Sequence, residues 1–148
     1  MKKLVPIIFM ILVCVSCSWS GAVSPRGAFV MLVNSIENSD IEMFKKIQSK
    51  DSIKFFEDIA NKLSNSNTAQ RDYLSKRYGV PKDFTDDVNY NNVMEFYLLA
   101  EKEGNFLKSL KSGIASIDRT ANKAVIVTNS STQVLFVKEG SFWKVELR

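Results

Sequence analysis

Histidine is absent from this 148-residue chain, which removes imidazole acid–base catalysis and the commonest metal ligand together. Cysteine is nearly absent. The two present, Cys14 and Cys17, both stand near the N-terminus, so the rest of the chain has no thiol nucleophile, thiolate metal site or disulfide. Proline (3 residues) and glycine (6) are sparse, and no repeat or low-complexity segment occurs. What is there is ordinary globular material: 45% hydrophobic, 11% aromatic and 24% charged residues. That composition suits a single packed domain and excludes wholesale disorder. A strong excess of one charge is also lacking. Lys45-Lys46, Lys76-Arg77 and Lys108/Lys111 are scattered among acids and read as solvated surface, so no nucleic-acid partner is expected.

The one long apolar run, Leu4 to Val15, follows Met1-Lys2-Lys3 and leads into small and polar residues from Ser16 to Ala22. A positive start, a short apolar stretch and a small-residue exit describe a secretory signal peptide. A membrane-spanning helix needs about 20 apolar residues, and this run is shorter. Cys14-Val15-Ser16-Cys17 resembles the bacterial lipobox, with Cys14 where leucine is usual. The resemblance implies a signal over residues 1–16 and diacylglycerol on Cys17, the first residue of the mature chain. Residues 17–23 then form a tether to a domain over 24–148. Ser18 after Cys17 implies the outer membrane over the inner in a diderm cell. The competing expectation is cleavage after Ser20-Gly21-Ala22, leaving a soluble secreted or periplasmic protein that begins at Val23. Removing Lys2 and Lys3 takes the basic residues from 20 to 18 against 16 acidic ones, a balance of +2.

Past the tether, Ser24-Pro25 predicts a helix start, serine as N-cap and proline at the first helical position. Phe29, Leu32, Val33 and Ile36 supply its apolar face. Asn38-Ser39-Asp40 caps a second helix with Ile41, Phe44 and Ile47 inward. A third follows Asp51-Ser52, with Ile53, Phe56, Ala60 and Leu63 on one side. Thr68 to Tyr78 reads as a fourth, ended by Gly79 and Pro81. Asp83 to Asn92 reads as a loop. Val93, Phe96, Tyr97 and Ala100 then resume the helical period, and Gly104 ends or kinks that helix before Phe106, Leu107 and Leu110.

From Ile114 the period changes to two. Ile114–Asp118, Ala124–Thr128, Gln133–Val137 and Phe142–Leu147 are predicted strands joined by turns at 119–123, 129–131 and 139–141. In the last, Trp143, Val145 and Leu147 alternate with Phe142, Lys144 and Glu146, as a sheet with one buried face requires. Helices first and an antiparallel meander last make an α+β domain.

Two segments carry a family resemblance. Ser24-Pro25-Arg26-Gly27-Ala28-Phe29 with Asn38-Ser39-Asp40-Ile41-Glu42, and Val134 to Val145 with its Lys138-Glu139-Gly140 turn and Trp143-Lys144-Val145, resemble small bacterial lipoproteins of the nuclear transport factor 2-like, cystatin-like superfamily. The resemblance covers roughly residues 24–51 and 124–147. It implies N-terminal helices packed on a curved antiparallel sheet, a cone with room for a cavity, and no particular chemistry.

No catalytic set and no metal-ligating set emerges from the residues, and no cofactor is expected. Asp87 to Asn92 begins like a calcium loop, but Asn92 stands where glycine is needed and Leu98 where the closing glutamate belongs. Asn129-Ser130-Ser131 reads as a hairpin turn. The candidate pocket or interface residues are aromatic: Phe96, Tyr97, Phe136, Phe142 and Trp143, with Phe106 beside them. They line an apolar pocket or fill the core, while Phe142, opposite in sense to Trp143, faces outward or into a partner. The expected role is a non-catalytic module at the cell envelope, held at the membrane by lipid and binding a small apolar ligand or an envelope protein, with a homodimer through the open sheet face as a further option. The alternative is a small isomerase- or dehydratase-like enzyme using Asp118 or Tyr97 inside the cone.

Overall fold

The computed structural model describes residues 21–82, 84 and 88–148. Residues 1–20, with the predicted signal segment, the Cys14–Cys17 motif and most of the predicted tether, and residues 83 and 85–87 of the predicted loop lie outside the described residues. The architecture is α+β, with the helices N-terminal and the sheet C-terminal. Six helices are described, α1 (Pro25–Glu37), α2 (Ile41–Ile47), α3 (Lys50–Asn65), α4 (Thr68–Tyr78), α5 (Tyr90–Glu103) and α6 (Asn105–Lys111). Four strands follow, β1 (Ile114–Arg119), β2 (Lys123–Thr128), β3 (Gln133–Glu139) and β4 (Phe142–Glu146). They pair in sequence order as one antiparallel meander.

Local chemistry sets most helix ends. Ser24 Oγ accepts the Gly27 N–H at 3.1 Å, and Asp40 Oδ1 accepts the Met43 N–H at 2.9 Å, each side chain satisfying one free donor of a first turn. Gly79 closes α4 in the left-handed region at φ 71. The third helix starts earlier than expected. Ser49, not the Asp51-Ser52 pair, is its N-cap, accepting from the Ser52 N–H at 3.1 Å. Ser52 is drawn to the sheet instead: its hydroxyl accepts the Leu147 N–H at 2.7 Å and donates to the Val145 carbonyl at 3.1 Å. The loop before α5 is shorter than expected, because Asn89 Oδ1 accepts the N–H groups of Asn91 and Asn92 and starts the helix at Tyr90.

The inner face of the sheet carries Ala124, Ile126, Phe136, Trp143 and Val145, all at most 1% exposed. It packs against α1, whose Phe29, Leu32 and Ile36 are buried. Burying a large apolar side chain gains about 1.5–3 kcal/mol, so Trp143, Phe44, Phe56 and Phe136, the largest fully buried residues, dominate the core. Helix α5 buries Val93 as expected, but the rest of its inward stripe is shifted: Met94 and Leu98 are buried, Phe96 and Tyr97 half-buried, and Ala100 exposed. Helix α4 buries only Ser75.

The two sheet edges differ. Along β4, the Trp143 N–H donates to the Ala22 carbonyl at 2.7 Å and the Ser49 N–H to the Val145 carbonyl at 2.9 Å. Ala22 pairs antiparallel and Gln48 parallel to that strand. This edge is covered, which protects it from adventitious pairing. The chain therefore joins the fold ahead of Ser24: Ala22 is 6% exposed and belongs to the core. Strand β1 carries the open edge among the described residues, with an irregularity between Ile114 and Ser116.

Candidate functional site

The aromatic residues singled out by sequence do not converge on one pocket. Phe136 and Trp143 share the inner sheet face and are fully buried. The Arg119 guanidinium lies 5.0 Å from the centroid of the Trp143 ring, an attractive cation–π contact. Phe96 stacks edge-on against Phe84 at 5.1 Å on the far side of α5. Phe106 lines a different cleft beside Asn105, Ser109 and Thr132. Phe142 stands on the outer face of β4, half-buried, with Gly21 against it. Asp118 lies on the outer face of β1, exposed and paired in register with Val125.

Tyr97 sits in a second aromatic cluster. Its ring contacts Phe56 at 5.5 Å, Phe44 at 6.3 Å and Tyr78 at 6.4 Å, and Phe55 joins through Tyr78 at 5.9 Å. Beside it lies a cavity of about 140 Å³, lined by Phe55, Arg77, Tyr78, Tyr97, Glu101, Leu147 and Arg148. Helix spacing explains part of this. Tyr97 and Glu101 are four apart on α5 and lie on the same side, and the tyrosine hydroxyl hydrogen-bonds the carboxyl group. Burial pushes the Glu101 carboxyl above the usual carboxylate range, with the Tyr97 hydrogen bond pulling the other way. Burial, with Glu101 adding to it, pushes the Tyr97 hydroxyl above the usual phenol range. Tyr97 thus stays a neutral donor at any physiological pH. Arg77 bonds Tyr78, and Arg148 pairs with the buried Glu146.

The chemical capacity of this cavity is limited. Typical ligand pockets span about 300–1,000 Å³, so the space holds a few waters and not a substrate of ordinary size. Its one carboxyl is already engaged by Tyr97, leaving no acid–base pair facing open space. Sequence reading picked out Tyr97 but missed Phe55, Tyr78, Arg77 and Glu101. The i, i+4 spacing of Tyr97 and Glu101 was the available signal.

A hydroxyl cluster joins α6 to the β2–β3 turn. Ser109 Oγ lies 3.1 Å from Thr128 Oγ1 and 2.7 Å from Ser130 Oγ, Ser112 Oγ lies 2.9 Å from Ser130 Oγ, and Asn129 Nδ2 donates to the Ser112 carbonyl at 2.6 Å. Each hydroxyl satisfies another, so the cluster fastens the hairpin to the helix. No group of acidic or sulfur side chains able to hold a metal occurs among the described residues, and Asn89, in the segment first compared with a calcium loop, serves as a helix cap.

The outer face of the sheet faces away from the buried core. Val125, Val127, Leu135 and Val137 alternate with the buried core residues and are half-buried. Register sets Val125 beside Leu135, Val137 between Lys123 and Lys144, and Phe142 beside Glu139, so this face carries aliphatic side chains interleaved with charges of both signs. The main helix contacts to the sheet come from α1 at β2 and β4 and from α2 and α3 at β4, with Ser109 of α6 bonding Thr128 at the end of β2. Comparison with protein-family models, with curated proteins and with solved structures found no match.

Proposed function

We propose that this chain is exported, acylated at Cys17 and active at the cell envelope as a non-catalytic module of the nuclear transport factor 2-like type, which works by contact through the outer face of its sheet. The observation that carries the reading is the anchoring of Ala22. Cleavage after Ala22 would strip a core residue from the domain and leave the Trp143 N–H without its 2.7 Å partner. A mature chain starting at Cys17 keeps both. The order of helices and meander supports the fold part of the proposal. The space that a cone-shaped cavity would occupy is filled by Phe136, Trp143 and Val145, each 0% exposed, so the contact surface is assigned to the opposite face, where aliphatic side chains remain available. The enzyme alternative has little support from the small Tyr97 cavity.

Phase partitioning tests the proposal. Full-length protein expressed in a bacterial host should enter the detergent-rich phase, and the Cys17→Ser variant should lose that behaviour. Wild-type protein found wholly in the aqueous phase would overturn it.

A further inference from the structure

The point at which the chain enters the fold constrains how an anchored domain can sit. Gly21 lies against Phe142 on the outer side of β4. A Cβ at Gly21 would fall 2.8 Å from the Phe142 Cβ, and its φ of +151 suits glycine alone, so this approach is tight and specific. Only Ser18, Trp19 and Ser20 separate Gly21 from Cys17. Even fully extended, that connection reaches roughly 14 Å. Lipid on Cys17 therefore holds the Phe142 end of β4 within about two headgroup layers of the hydrocarbon, since a bilayer about 40–45 Å thick around a core of about 30 Å has about 5–8 Å of headgroup on each side.

The surface that continues from Phe142 mixes aliphatic side chains with charges of both signs. Val137, Leu135, Val125 and Val127 extend across the outer face, and Val23, beside the tether, is 80% exposed. Charges on this face are largely engaged. Glu139 Oε1 accepts the Lys50 N–H at 2.8 Å, Glu146 pairs with Arg148, and the Lys144 ammonium donates to the Lys46 carbonyl. Lys123 and Asp118, of opposite sign, stand toward β1 and β2. With Lys123 and Lys144 set against Asp118, Glu139 and Glu146, the face has no basic patch, so the match is to the zwitterionic interfacial layer and not to anionic headgroups.

We infer that the outer face of the sheet, from Phe142 across Val137 and Leu135, lies on the surface of the bilayer when Cys17 is acylated. This rests on the acylation proposed above and deepens it by naming what covers the open face. A membrane-facing sheet leaves the helical side directed outward. Contact by apolar side chains also makes the orientation insensitive to salt, unlike attachment through a basic patch.

The chain is convenient for a test. Cys14 leaves with the signal and acylated Cys17 carries no free thiol, so an introduced cysteine is the sole reactive one. A fluorophore is placed on full-length acylated protein at Val137→Cys, and separately at Ser64→Cys. Ser64 is exposed near the far end of α3, a 16-residue helix and so about 24 Å long, which starts at the β4 edge. Lys123→Cys, opposite Val137 in register, serves if the Val137 variant fails to fold. The proteins are reconstituted in phosphatidylcholine vesicles containing a lipid-borne quencher. The expected result is several-fold stronger quenching by the lipid-borne quencher at position 137 or 123 than at 64, and the reverse order with aqueous iodide, unchanged by salt. Equal quenching at both sites on acylated protein overturns the orientation while leaving the anchor standing. Protection of position 137 from both quenchers also overturns it, and indicates a second copy or another protein on that face. Absence of the acyl mass overturns the anchor and the orientation together.

Discussion

Starting the mature chain at Val23 instead of upstream of Gly21 should cost the domain about 2–4 kcal/mol of stability. The figure has two parts. Ala22 is 6% exposed, and withdrawing its methyl group from the core forfeits about 0.8 kcal/mol. The Trp143 N–H loses its bond to the Ala22 carbonyl, 2.7 Å long, and an unsatisfied buried donor costs about 1–3 kcal/mol. Water reaching the freed N–H lowers that second part toward the net value of one hydrogen bond, about 1 kcal/mol. The perturbation is made by comparing soluble chains that begin at Ser18 and at Val23 in urea. Far-UV circular dichroism is the appropriate signal, because Trp19 is present in only one of them. With a urea dependence of about 2 kcal/mol per molar, typical of small domains, the midpoint should fall by about 1–2 M at unchanged slope. Coincident midpoints would refute the claim that Ala22 is structural, and with it the argument for a cut upstream of Gly21.

Other substitutions probe the same framework. Ser52→Ala should destabilise by about 1–2 kcal/mol in urea unfolding, since the part-buried Leu147 N–H loses its 2.7 Å acceptor; no change would mean the α3–β4 junction is not held by that hydroxyl. Gly79→Ala should cost more than about 2 kcal/mol, combining left-handed strain with a Cβ placed 2.6 Å from Ala100 Cβ and 3.0 Å from the Phe96 carbonyl. Adding Ala100→Gly should make the double variant more stable than the sum of the single effects, and strict additivity would contradict the contact. For Glu101→Gln the sign follows from a carboxyl whose folded value is raised. Its stabilising proton is present below the unfolded value and is lost as pH rises through the folded one. The variant should therefore match wild type in Tm near pH 4 and exceed it near pH 8, and a lower Tm at pH 8 would contradict the burial of that group.

The sequence was most legible where local chemistry decides structure. Ser24-Pro25, Asp40 and Gly79 each act as the helix signal they resemble, and the alternation around Trp143 places that residue in the core. Legibility failed where two parts of the chain compete for one group. Ser49 and Ser52 are equally good caps by type, and only the approach of β4 assigns Ser49 to the helix and Ser52 to Leu147. Along α5 the stripe Val93, Phe96, Tyr97 and Ala100 holds at Val93, which is buried, but Met94 and Leu98 are buried with it while Ala100 is exposed, because α5 meets α1, α2, α3, α4 and α6 at once. The Tyr97 cavity is assembled from α3, α4, α5 and the C-terminus, so its membership is a tertiary fact that no window of sequence contains. Phe142 was assigned outward from alternation alone. Its contact with Gly21 is a tertiary one.

The central claim, that the mature protein begins at acylated Cys17, is tested most directly by the intact mass of protein extracted from membranes, measured beside the Cys17→Ser variant. The account predicts a diacylated or triacylated mass for a chain starting at Cys17, absent from the variant. An unmodified chain starting at Val23 would contradict it.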